Sequence, residues 1–381
     1  MTTVIKTFKF RIYPTKKQMR IMNHWLDECR WLYNHFLDER IKTYKESGIS
    51  LKFNNQALSL SNLKKERHTL ADIYSQVLID VAKRVDKAFK NFFRRIKKTK
   101  EKPGFPQFQS KDSYNSFTFP QHGFKIIENK KLYLSKIGDI KIVLHRPIEG
   151  IIKTCTIKRS YTNKWYVSFV CKCESIPLQK NNNVVNIDIG LNSFAPILNI
   201  DHNIEPKVFR QDQKALDKAR HKWHKAKNAQ LPERAKRRKV VARIQERIKF
   251  RRQNSCHQVS RYLINNFDNI VVENLNVDKK ISNYYTAKAI QDAAWSDLYR
   301  QLLYKAEWAG RKLMVVDQSC ISHTCSKCGH KHELQLNERV YICQNCSQQI
   351  DLDHNAAANI LKLGQYLQDH PDCQIQDIVT S

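Results

Sequence analysis

Two groups of residues in this 381-residue chain have the types and spacing to do chemistry. Cys325, Cys328, Cys343 and Cys346 follow the pattern C-x2-C-x14-C-x2-C, in which two tight knuckles can present four thiolates tetrahedrally to one zinc ion. Four protein ligands leave no open coordination position, so a zinc held there stabilises a small fold instead of activating water. Disulfide pairing is the alternative. His323, His330 and His332 lie close by and, with four thiolates available, read as surface or nucleic-acid-facing residues.

The second group is acidic. In NVVNIDIGLNSFAPIL, strand alternation puts Val185, Ile187 and Ile189 on one face and leaves Asp188 on the other with Val184 and Asn186. Burying a lone carboxylate as an ion costs several kcal/mol. Asp188 is therefore protonated, hydrogen-bonded or metal-bound, unless it only helps the turn at Gly190. In FDNIVVENLNV, Ile270, Val271 and Val272 deliver Glu273 at the C-terminal end of a buried-type strand, where ligands gather in such sheets; a surface glutamate closing a strand is the bland alternative. Asp353 stands just before NAAANILKLG and, taken alone, is a good helix N-cap. Taken together, the three carboxylates have another use: two divalent ions about 4 Å apart activate water and stabilise the leaving oxygen in phosphodiester hydrolysis. Mg2+ and Mn2+ prefer such hard oxygen ligands. Asp351 competes with Asp353 for the third place, and Asp317, Asp297 and Asp292 rank lower.

Distant segments must fold together to assemble either group. VIKTFKFRIYP alternates as a strand and Pro14 opens a helical region. Residues 15–45 and 71–98 read as helices. In the second, Val77, Val81, Val85, Ala88, Phe92 and Ile96 recur at helical spacing. Lys83, Arg84, Lys87, Lys90, Arg94 and Arg95 crowd its other faces and suit phosphate contact, a solvated basic face being the alternative. KPGFPQFQSKDSYNSFTFP breaks this helix and strings together Phe105, Phe108, Tyr114, Phe117 and Phe119. Segments near 131–135, 140–145, 151–159 and 164–173 predict short strands of a small antiparallel barrel or sheet, which the N-terminal strand could join. Beyond residue 180, the apolar runs VVNIDIG, NIVVENL and KLMVVDQ alternate with helical stretches at 213–265 and 286–309, favouring a mixed or parallel sheet covered by helices. Pro232 divides the first of these. Its basic residues, Arg237, Arg238, Arg247, Arg251 and Arg252 among them, offer a surface that tracks a nucleic-acid backbone.

The net charge of +31 argues for a polyanionic partner. The N-terminus lacks the unbroken apolar core of a signal peptide or anchor, and no segment approaches membrane-spanning length. Eleven cysteines in such a chain fit a reducing compartment, which places the protein in the cytoplasm without a membrane partner. There is no G-x-x-x-x-G-K phosphate loop and no G-x-S-x-G elbow, disfavouring ATP use and serine hydrolysis.

Nearly end to end, the chain resembles TnpB, the transposon-encoded RNA-guided DNA nuclease related to type V CRISPR effectors. FKFRIYPT, GFPQFQSKDS, NIDIGLNSFA, IVVENLNV, AKAIQDAAWSDLYRQLLYKAEWAGRKL, TCSKCG and DLDHNAAANI carry the resemblance in family order. It implies an α/β plus β-barrel architecture: an RNase H-like RuvC nuclease domain (179–319 and 347–381) interrupted by a zinc-binding insert (320–346). This is preceded by a wedge-type β-barrel (1–14 and 103–178) that carries a helical recognition insert (15–102). By motif, Asp188, Glu273 and Asp353 match the three catalytic acids, which would hold two Mg2+ or Mn2+ ions. The implied partners are a transposon-derived guide RNA and double-stranded target DNA, which brings the protein to the nucleoid when bound. The oligomeric state is left open, with a monomer slightly favoured. Two rivals stand beside the endonuclease: a guide-directed DNA-binding repressor that has lost cutting, and a strand-transferring transposase. The chain departs from the family at CQNCS, where glycine commonly follows the last cysteine, and at DLD, where D-R-D is more usual. The first departure is expected to strain a knuckle turn, and the second to weaken a local phosphate or carboxylate contact.

Overall fold

The computed structural model describes residues 2–98, 104–127, 130–181, 183–187, 208–226, 231–274, 295–317, 324–331, 340–351, 354–355, 358–359 and 362. The chain divides into two units, Thr3–Glu174 and a second built from Ser175–Ser381 with Met1–Thr2.

In the first unit, β1 (Thr3–Tyr13) buries Val4, Phe8, Phe10 and Ile12, as the period of two requires. It pairs antiparallel with β7 (Trp165–Glu174) on one side and β5 (Gly138–Val143) on the other. With β2 (Ser116–Phe119), β3 (Phe124–Ile127), β4 (Lys131–Leu134) and β6 (Ile151–Arg159), they form a seven-stranded sheet ordered β2-β6-β7-β1-β5-β4-β3. Its outermost strands, β2 and β3, are consecutive in the chain, and the Phe119 and Phe124 rings lie 6.4 Å apart across them. The sheet therefore curls into a nearly closed barrel.

Helix α1 (Lys16–Ser47) begins at a Thr15–Gln18 capping box and ends at Gly48, whose φ of 69° is the left-handed conformation that halts a helix. Its Trp25 packs on Phe117 and Phe119 of β2. The aromatic string before the sheet also holds the helices: Tyr114 meets Tyr33, and Phe105 packs on Phe89 and Phe92. Helices α2 (Phe53–Glu66) and α3 (Ser75–Lys98) complete this layer. The charged groups that enter it are paired. Glu28 accepts from Arg67 at 2.6 and 2.9 Å and from Thr69, while the Arg67 guanidinium lies over Trp31.

In the second unit, β8 (Val184–Ile187), β9 (Asn269–Asn274) and β10 (Lys312–Asp317) form a parallel sheet with β9 in the centre. Between them run α4 (Val208–Lys225), α5 (Leu231–Asn266) and α6 (Trp295–Ala309). Pro232 falls in the first turn of α5, where a missing N–H costs nothing. Val185, Ile187, Ile270 and Val272 pack against Val259, Leu263, Leu298 and Leu302 of α5 and α6.

Two buried polar features break this apolar layer. Asp268 and Arg311 form an ion pair; Asp268 also accepts from the Asn181 backbone N at 2.8 Å, and Arg311 donates to Ile264 O at 3.1 Å. Lys305, 5% exposed, donates to Ser260 Oγ at 2.6 Å and to His257 O at 3.2 Å. Burial, with Arg261 adding repulsion, pushes the Lys305 ammonium down to about 8 from 10.5.

Both features give stability predictions. Because the folded state releases the Lys305 proton first, stability rises as pH climbs from about 8 to 10.5, and the charge costs at most about 3 kcal/mol at neutral pH. Lys305→Met should therefore stabilise the chain by roughly 1–3 kcal/mol in denaturant titrations at pH 7.5, the gain fading towards pH 10.5. Asp268→Asn leaves the Arg311 charge buried without its counter-ion and should cost about 3 kcal/mol in the same titration.

Candidate metal centre

The sulfurs of Cys325, Cys328, Cys343 and Cys346 all lie within 4.8 Å of one another. Cys325–Cys346 and Cys328–Cys343 are separated by 3.6 and 3.5 Å. A tetrahedral zinc with bonds of about 2.3 Å sets its sulfurs roughly 3.8 Å apart, whereas a disulfide needs about 2.05 Å. The donor set therefore fits a closed four-thiolate metal site, and all four cysteines are free of disulfides.

Each knuckle is a turn fixed by its own backbone. In the first, Gly329 N donates to Cys325 O and Cys325 N to His330 O; in the second, Ser347 N donates to Cys343 O and Cys343 N to Gln348 O. Gly329 and Ser347 occupy matching positions with φ of 77° and 55°. Ser347 thus takes the left-handed conformation that glycine adopts freely, at roughly 1 kcal/mol, which is the strain expected from CQNCS. Strands β11 (Val340–Ile342) and β12 (Gln349–Asp351) pair around the second knuckle and bury Tyr341. His330 contributes its carbonyl, which accepts from Tyr341 Oη. His323 and His332 lie outside the described residues.

The chain leaves the second knuckle through β12 and then grips the first. Asp351 Oδ1 accepts from His354 N at 3.3 Å, a bond of the kind an N-cap carboxylate makes, while Asp353, read as the cap, lies outside the described residues. Asn355, fully buried, accepts from Ser326 N and donates to Thr324 O, both at 2.8 Å. Asn359 donates to the same Thr324 O, and Lys362 to Ser326 O, each at 2.6 Å. Sequence reading passed over these three residues, although their i, i+4, i+7 spacing in an alanine-rich run marks one polar helical stripe.

Of the acids read as catalytic, Asp188 and Asp353 lie outside the described residues, and Glu273 is described only in its backbone. Ile187 of β8 pairs with Val272 of β9, and Glu273 pairs with Val316 of β10. The residues that immediately follow the paired Ile187 and Val272 are Asp188 and Glu273. Asn274 pairs with Asp317 at the same end.

The basic residues separate by environment. Arg84 is engaged within the fold: its guanidinium bonds Asp80, Ser116 O and Thr118 Oγ1, each at 2.8 Å. It braces α3 on β2, with most of its donors taken up by Asp80, Ser116 and Thr118. Lys83, Lys87, Lys90, Arg94 and Arg95 are exposed on α3, with Lys90 paired to Asp86 and Arg95 donating to Gly104 O. On α5, Arg238, Arg247 and Arg251 are exposed, Arg252 is half-buried and Arg237 pairs with Glu233.

Three family models match parts of the chain: one described as "Helix-turn-helix domain" over residues 1–48, one as "Probable transposase" over 168–283, and one as "Cas12f1-like, TNB domain" over 295–360. Within the first, the structure has β1 followed by one uninterrupted helix. A Streptomyces pristinaespiralis protein provisionally named an RNA-guided DNA endonuclease is 32% identical over 373 residues, covering 96% of this chain and 90% of that one. InsQ of Escherichia coli (strain K12), named the same way, is 28% identical and covers 94% and 92%. The TnpB-like protein L79 of Acanthamoeba polyphaga mimivirus is 25% identical, covering 94% and 73%. Among solved structures, a Cas12f1–sgRNA–target DNA complex contains a chain that superposes with a TM-score of 0.57 at 15% identity, covering 94% of this chain and 98% of that one. The nearly closed barrel, the parallel sheet and the four-cysteine unit define a protein with the fold of the Cas12f effectors. The chain belongs to the TnpB family.

If the thiolates hold zinc, purified protein carries one zinc per chain by elemental analysis. Cys343→Ser should lower that stoichiometry well below one and destabilise the 324–351 unit to proteolysis.

Proposed function

We propose that the protein is a transposon-associated RNA-guided DNA endonuclease. A transposon-derived guide RNA lies along the basic helices, pairs with one strand of target DNA and so carries most of the sequence choice. The protein itself reads a short flanking duplex motif and backbone shape. The +31 charge supports nucleic-acid binding by phosphate neutralisation, with Lys83, Lys87, Arg94 and Arg95 as contacts on the first unit and Arg238, Arg247 and Arg251 as contacts on the second.

Cleavage belongs to the second unit, read as a RuvC domain of RNase H-like fold at 179–319 and 347–381, with the zinc insert at 320–346. The barrel of the first unit is read as the wedge domain, 1–14 and 103–178, and its helices at 15–102 as the recognition insert. Asp188, Glu273 and Asp353 hold two Mg2+ or Mn2+ ions. When bound, such ions activate water and stabilise the leaving oxygen at phosphorus. The protein's part in this reading is positional: Asp188 and Glu273 directly follow the paired Ile187 and Val272 in the sequence, and Asp353 follows the last residue of β12 by two. The zinc is structural.

The observation that supports this reading is the β8–β9 register, Ile187 opposite Val272, because the next residues in the sequence are Asp188 and Glu273 and ligands gather at the C-terminal ends of such parallel strands. Its test is Asp188→Ala in purified protein with guide RNA, target DNA and Mg2+. Cleavage should fall by at least about a hundredfold while guided DNA binding stays intact. Retained cutting by the variant removes Asp188 from the site. Occupancy without any product from the unaltered protein supports a repressor, and joined DNA ends a transposase.

A further inference from the structure

The segment from Asp351 to Asn355 is held at both ends, each end by a different knuckle. Upstream, Asp351 is the last residue of β12, paired with Val340 of β11 around the second knuckle, and its carboxylate caps the His354 N–H. Downstream, the Asn355 amide spans Cys325: its oxygen takes the Ser326 N–H and its nitrogen gives to Thr324 O. Cys325 is one of the four thiols, so the peptide groups on either side of a metal ligand are the ones Asn355 grips. Asn359 and Lys362 repeat the grip along the same helical face, on Thr324 O and Ser326 O. Asp353 stands midway between Asp351 and Asn355 in the sequence and lies outside the described residues.

We propose that Asn355 is a positioning residue, through which the four-cysteine unit fixes where Asp353 presents its carboxylate to the catalytic cations. The inference rests on the assignment of Asp353 as a catalytic acid. A buried primary amide suits the task because it satisfies one donor and one acceptor of a peptide chain at once, and a fully buried Asn355 that lost either bond would leave a polar group unpaired. Residues that orient metal ligands from outside the coordination sphere contribute in this way to metal affinity and rate. The four-cysteine unit then acts on the nuclease chemistry at a distance, by setting the affinity of the acidic site for its cations.

The experiment compares Asn355→Ala, Asn359→Ala and Asp353→Ala with unaltered protein, each zinc-loaded and bound to guide RNA. Zinc stoichiometry, target-DNA affinity, hydrogen exchange at the Ser326 amide and single-turnover cleavage across a Mg2+ titration are read together. For Asn355→Ala, the zinc content stays at one per chain and DNA affinity within about threefold, while the Ser326 amide loses protection. The cleavage rate falls roughly 10- to 100-fold and the half-saturating Mg2+ concentration rises at least about fivefold, the range seen when ligand-orienting groups are removed. Asn359→Ala, which removes one bond to an acceptor that Asn355 still holds, shifts the Mg2+ midpoint in the same direction by less. Unshifted Mg2+ midpoints overturn the proposal, as does cleavage that falls only in step with zinc and DNA binding. Undiminished cleavage by Asp353→Ala instead overturns the reading of the active site on which the proposal rests.

Discussion

One carboxylate ties together the starts of three strands. Asp268, the residue before β9, accepts the Asn181 backbone N–H ahead of β8 and pairs with Arg311 ahead of β10. Its own backbone finishes the tie, with N donating to Asn183 O and O accepting from Lys312 N. Parallel strands are joined by long crossovers and have no tight turn to set their pairing, and a slip of one residue would reverse every side chain. With the starts fixed, the far ends are fixed too: Ile187 faces Val272, the pair that Asp188 and Glu273 follow in the sequence. The ion pair is buried at both partners, so losing either one leaves an uncompensated charge among the strand starts.

The proposed active site is thus set from two directions. For the two strand-borne acids of the proposed site, the setting is the register of Ile187 against Val272. Asp353 follows a strand of only three residues, and a parallel ladder cannot position it. The described residues on either side of it each meet a different cysteine knuckle, Asp351 through β12 and Asn355 through its amide. A small unit of this size has little apolar core, here Cys325, Tyr341 and Cys343 with Cys346 and Ile350 beside them, so it depends on its thiolates for rigidity. The same economy explains Ser347, whose left-handed backbone is affordable where four sulfurs close the turn.

Much of this was legible in the sequence because it is periodic. Alternation along VIKTFKFRIYP and through 131–173 marked β1 and β4 to β7, and the C-x2-C pairs marked the thiolate cluster. What escaped was set by tertiary context. Helix α2 has Gln56, Leu60 and Leu63 as its only buried residues and forms because they pack against neighbouring helices. Strands β2 and β3 are four residues each, and the aromatics of β2 resembled a loop until Trp25 packed on them. Arg84 was counted with a basic face, yet it stands three residues after Val81 and seven after Val77, on the buried stripe, where Asp80 and the β2 backbone take up its guanidinium. Asn355 looked like the start of an alanine helix, and only the fold reveals its grip on Cys325's neighbours.

The most direct test of the shared site is anomalous diffraction at the manganese edge from crystals of the protein with guide RNA, target DNA and Mn2+. Two manganese peaks about 4 Å apart, both within coordination distance of Asp188 and Glu273 and one of Asp353, are the result expected. Manganese bound elsewhere, with these three carboxylates lying too far apart to share an ion, would contradict the account.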